Sequence, residues 1–70
     1  MKYAVVYERG PSNWSAFVPD LPGCIGAAET LEQCKHLMAE AVEFHIECLR
    51  EDGESVPPPT CEVDMVEVVA

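Results

Sequence analysis

Four carboxylates, Glu8, Asp20, Glu62 and Asp64, are the residues that could carry phosphoryl chemistry in this chain. Two-metal catalysis needs several carboxylates converging on ions about 4 Å apart. Asp20 alone sits in a shaped loop, whereas the others alternate along extended segments and have no reason to converge. His45 falls on an apolar helical stripe between Ala41 and Cys48, where packing suits it better than general-base duty; His36 follows Lys35 on the polar side and reads as solvated. No serine or cysteine nucleophile is placed beside either histidine. Cys24, Cys34, Cys48 and Cys61 are scattered, with no C-x-x-C or H-x-x-x-H spacing to indicate a zinc site, and a disulfide framework would need an oxidising compartment that nothing in the chain suggests. Gly23 and Gly26 are too few, and lack a following basic residue, to cradle a phosphate. The expectation is a chain with no catalytic residue, no metal and no cofactor, whose function is binding.

The most informative segment is Val18-Pro19-Asp20-Leu21-Pro22-Gly23-Cys24 and the residues up to Thr30. Pro19 has no N–H for a ladder, so a strand reaching Val18 stops there. Asp20 can bond backbone two residues on, Pro22 fixes its own φ, and Gly23 permits φ > 0. A stiff, shaped loop follows. Its residues Asp20, Leu21 and Pro22, with Trp14 next to it, are the candidate partner contacts. Glu62 and Asp64 are expected to add electrostatic complementarity.

The elements that hold this loop are legible from periodicity. Lys2 to Glu8 alternates as a strand with both faces apolar at its middle, which suits a central position. Gly10-Pro11-Ser12-Asn13 is a turn cluster, and Trp14 to Val18 alternates again as the second arm of a hairpin. Cys24 to Ala28 makes a weaker strand, because Gly26 and the alanines offer little to pack. Thr30-Leu31-Glu32-Gln33 fits a capping box, and Leu31, Cys34, Met38, Ala41, His45 and Cys48 recur at helical spacing, predicting a helix over 31–51 with Gly53 beyond its end. Pro57-Pro58-Pro59 carries the chain onward in extended geometry, and Cys61 to Val69 alternates as a final strand. The predicted fold class is α+β: a single two-layer domain over 1–70, β-β-β-α-β, with one amphipathic helix on a small, mostly antiparallel sheet. Tyr3, Val5 and Tyr7, or their neighbours, are left on an uncovered sheet face, which predicts a homodimer or higher homo-oligomer.

Seventy residues bearing thirteen acidic and four basic side chains carry a net charge of −9. From Glu51 onward there are six acidic residues and no basic one. Such a surface repels phosphate backbones and anionic lipid, so direct nucleic-acid binding is not expected, and a basic protein partner is. No apolar run is long enough to span a membrane, and the N-terminus turns acidic at Glu8 without the pattern of a secretory signal, so a cytoplasmic location is expected.

The order strand, strand, Val-Pro-Asp-Leu-Pro-Gly-Cys, short strand, Thr-Leu-Glu-Gln and amphipathic helix resembles the HicB-type antitoxin family. The prolines after the helix fit it too, and the resemblance covers nearly the whole chain. It implies a reduced RNase H-like fold with the first strand central, beside the last. It implies binding to a small, basic HicA-type toxin that cleaves mRNA, within a type II toxin–antitoxin system, and covering of its active site. Two departures stand out. Ala28-Glu29 replaces the Gly-Asp pair frequent before the capping threonine, and the seventy residues leave no room for the DNA-binding segment that many members carry. Operator binding is therefore not carried over. The alternative is an orphan domain of this type, with ligand binding or residual metal-dependent nuclease activity.

Overall fold

The computed structural model describes residues 1–69. It contains three strands, β1 (Val6–Arg9), β2 (Trp14–Phe17) and β3 (Ile25–Ala28), followed by one helix, α1 (Leu31–Glu51). The strands form one antiparallel sheet in the order β1-β2-β3, an α+β arrangement of a small sheet and a helix. Two cross-strand rows, Tyr7–Ala16–Gly26 and Arg9–Trp14–Ala28, share one face; the alternate rows, Val6–Phe17–Ile25 and Glu8–Ser15–Ala27, share the other. Helix α1 packs on the first face. The core there consists of Ala16, Val18, Leu21, Cys24, Cys34 and Met38, flanked by Tyr3, Val5, Tyr7, Trp14, Ala28, Ala41, Val42 and Ile46.

Both ends of α1 follow the sequence closely. Thr30 accepts from the Gln33 amide at 3.1 Å while the Gln33 side chain accepts from the Thr30 amide at 3.3 Å, the reciprocal capping box. At the other end Gly53 adopts φ 71°, its N–H donates to the Arg50 carbonyl at 3.1 Å, and the Glu54 N–H donates to Leu49 at 2.9 Å. That pair of bonds is a Schellman motif, which requires the left-handed residue glycine supplies.

The sheet departs from expectation on its β1 side. The first strand begins at Val6 rather than Lys2, and it lies at the edge of the sheet rather than the centre. Continuing the Val6–Phe17 register would set Val5 against Val18 and Ala4 against Pro19. Pro19 has no N–H to donate across to Ala4, so the ladder does not continue through that pair. The final strand expected over Cys61 to Val69 does not form within the chain: these residues are irregular and exposed throughout. A strand needs a partner for its backbone groups, and this segment leaves the domain without meeting one. The uncovered sheet face carries Phe17 and Ile25 with Val6, whereas Tyr3, Val5 and Tyr7 turn toward the core.

Candidate partner-binding surface

The loop between β2 and β3 is two consecutive turns. The Leu21 N–H donates to the Val18 carbonyl at 3.1 Å, and the Cys24 N–H donates to the Leu21 carbonyl at 3.0 Å. Pro22 and Gly23 are the central residues of the second turn, and Gly23 has φ 85°, the combination of a type II turn. Between the turns Leu21 is driven inward to zero exposure. It is a core residue that anchors the loop, with no surface to offer a partner.

Asp20 does not bond the backbone of its own loop. Its Oδ2 accepts from the Thr60 N–H at 3.0 Å and from the Cys61 N–H at 2.9 Å, and its Oδ1 accepts from the Thr60 hydroxyl at 2.9 Å. The Cys61 amide, helped by the Thr60 hydroxyl and amide, holds the carboxyl below the usual range against a smaller opposing effect of partial desolvation. Nearby, the Tyr3 hydroxyl donates to the Pro57 carbonyl. The chain after α1 is thus tied down at Pro57 and again at Thr60–Cys61.

The remaining sequence-derived contacts do not share one patch. Trp14 stands at the opposite end of β2 from the loop, half-buried against the core beside the Gly10–Asn13 turn. Pro22 is exposed at the loop tip. Glu62 and Asp64 are exposed on the segment after the Asp20 clamp. Among the described residues, no group of three His, Cys, Asp or Glu side chains is arranged to hold a metal ion. His36 is exposed with its Nε2 3.2 Å from Glu40 Oε1, and His45 is half-buried on α1. Cys24 and Cys34 are buried thiols, Cys48 is half-buried and Cys61 is exposed; burial pushes the Cys24 thiol up, away from thiolate.

A second surface lies on α1 and the outer face of the sheet, outside the residues expected from the sequence. Leu37, Ala41 and Phe44, at i, i+4 and i+7, form an apolar row on one flank of α1, and Glu40, Glu43 and Glu47 run alongside it. Together they line an open groove of about 510 Å³. A cleft over the free edge of β3, lined by Ile25, Ala41, Phe44 and Cys48 among others, joins this groove to the outer sheet face. There Phe17, Ile25 and Ala27 line an apolar hollow of about 470 Å³. Ile25 is 71% and Phe44 68% exposed, high values for side chains of this size in a domain with so small a core. The signal was available in the sequence: Phe44 is a large apolar residue at helical spacing from Leu37 but off the main stripe.

The chain is 39% identical over 57 residues to an uncharacterised 14.9 kDa protein of the rep-hol intergenic region of Haemophilus phage HP1, covering 81% of this chain and 43% of that protein. It therefore spans less than half the length of the phage relative. It is also 35% identical over 66 residues to the UPF0150 protein of Archaeoglobus fulgidus, covering 90% of this chain and 96% of the relative. No solved structure matches. The family model for the HicB-like antitoxin of bacterial toxin–antitoxin systems matches residues 3–68, and the chain belongs to that family.

Proposed function

We propose that this protein neutralises a small, basic, RNA-cleaving toxin of the HicA type by stoichiometric binding in the cytoplasm, without catalysis of its own. The observation that carries the reading is the apolar band of Phe17, Ile25, Leu37 and Phe44, bordered by Glu40, Glu43 and Glu47, in a chain of net charge −9 from an antitoxin family. An RNA-cleaving partner must present positive charge to hold phosphate, and an acidic-rimmed apolar surface competes for that charge while burying area that RNA cannot. Asp20, Glu62 and Asp64 add to the field that steers such a partner.

The test is an RNA-cleavage assay with a purified HicA-type toxin titrated against the full chain. Inhibition should be complete at one equivalent. Phe44→Ala, exposed enough to spare the fold, should weaken binding by about 2 kcal/mol, roughly thirtyfold in Kd, as expected for a central aromatic contact. Undiminished inhibition by that variant would reject this surface, and uninhibited cleavage at excess wild-type protein would reject the toxin.

A further inference from the structure

The edge of the sheet opposite the apolar band has no strand beside it among the described residues, and residues 61–69 pair with no strand either. Among the described residues strand β1 has β2 on one side only, leaving a row of backbone N–H and C=O groups without a strand partner on the other. Residues 62–69 are exposed and belong to no strand; Val63, Met65, Val66, Val68 and Val69 are 60–98% exposed. An alternating apolar segment and an open strand edge in the same small molecule are complementary, since each lacks what the other supplies.

The segment does not close on its own β1. Pro57 is held at the Tyr3 hydroxyl, and Thr60 and Cys61 are held at Asp20 on the loop that follows β2, so residues 57–61 are tied away from the open edge of β1. Reversal would require a tight turn after Cys61, yet residues 61–69 form no turn; Asp64, the turn-favouring side chain there, accepts from the adjacent Met65 N–H at 2.8 Å. The dimensions agree: the longest axis is 49 Å, whereas a helix of 21 residues is about 31 Å long. The radius of gyration is 13.7 Å, against about 11 Å for a compact chain of this length.

We propose that residues Glu62–Val69 are an exchanged strand, which adds to the open edge of β1 in a second copy of this chain, with the reciprocal exchange closing a two-fold dimer. Charge selects the same occupant. Two of the four basic residues, Lys2 and Arg9, flank the stretch leading into and through β1, which also holds Glu8, and the segment brings Glu62, Asp64 and Glu67. Reciprocity satisfies both edges and both segments at once, which a closed isologous dimer permits and an open chain of contacts does not. The Asp20 clamp acts as the hinge: it fixes where the segment leaves one protomer and so where it enters the other. This assignment is independent of which toxin the protein binds.

The experiment uses the full chain. Sedimentation should give a dimer at micromolar concentration, and hydrogen exchange should show the amides of residues 62–69 protected. In a mixture of isotope-labelled and unlabelled protein, filtered NOEs should run between Val63–Val69 of one copy and Tyr3–Arg9 of the other. Met65→Pro removes a ladder donor outside the core, and should raise the dimer Kd by about tenfold or more while leaving the helix signal unchanged. A monomer at these concentrations, a dimer whose segment exchanges freely, or NOEs confined within one copy would each overturn the proposal. So would a segment that becomes protected only when a toxin is added.

Discussion

Asp20 accepts three hydrogen bonds across 40 and 41 residues of sequence, and it does so as a carboxylate. Because those bonds lower its folded pKa, the stabilisation is complete above its unfolded value of about 3.9 and is lost as pH falls through the lower folded value. Asp20→Asn replaces one acceptor oxygen with an amide that faces donors. In NMR titrations the Thr60 and Cys61 amide resonances of the wild type should therefore hold steady from neutrality to about pH 4 and then shift upfield as the acceptor protonates. In the variant they should already be displaced at neutral pH and show no such step. An unchanged acid step in Asp20→Asn would mean that another carboxylate holds the chain there. Leu21, two turns' worth of backbone bonding around it, explains why this loop is stiff enough to present Asp20 at all.

At the scale of elements, the contact between β3 and α1 depends on the missing side chain of Gly26. A Cβ there would lie 2.9 Å from Met38 Sδ and 3.1 Å from Leu37 Cδ2, so the two side chains rest where any residue larger than glycine would displace them. The methionine sulfur can swing aside for one methyl group, but not for a branched side chain. Gly26→Val should destabilise the fold by about 1–3 kcal/mol through overpacking, read as a lower urea midpoint at unchanged slope. The same displacement should weaken toxin binding, because Leu37 and Phe44 move with the helix; a variant of wild-type stability would show that α1 rides higher over the sheet than 2.9 Å allows. The small residues of β3, which offer little to pack, are thus what lets α1 approach the sheet closely.

As a whole molecule, the domain has two differently finished sides. The β3 side carries the apolar band with its acidic row, and the β1 side carries an open strand edge with Lys2 and Arg9. If a toxin takes the β3 side and a second copy the β1 side, as proposed, one small chain holds both at once. With a net charge of −9, the association rate with a basic partner should fall steeply as ionic strength rises, while the dissociation rate changes little. Stopped-flow measurements across a salt series check this; a rate insensitive to salt would leave the apolar band to account for recognition alone.

The sequence by itself determined the elements whose signals are local. The capping box at Thr30 and the glycine at 53 bound α1 at the residues expected, because caps are satisfied within a few residues of chain. Pro19 and Gly23 likewise set the β2–β3 loop by restricting their own backbone angles. Family membership was legible in the same motifs. What only the tertiary structure decided concerns partners distant in the chain. Asp20 reaches Thr60 rather than its own loop, Trp14 and the loop occupy opposite ends of β2, and Leu21 is core. The final segment alternates as a strand should, but alternation states only which faces a strand would have. Whether an edge is there to receive it depends on where the preceding residues have been tied, and that is a property of the folded chain.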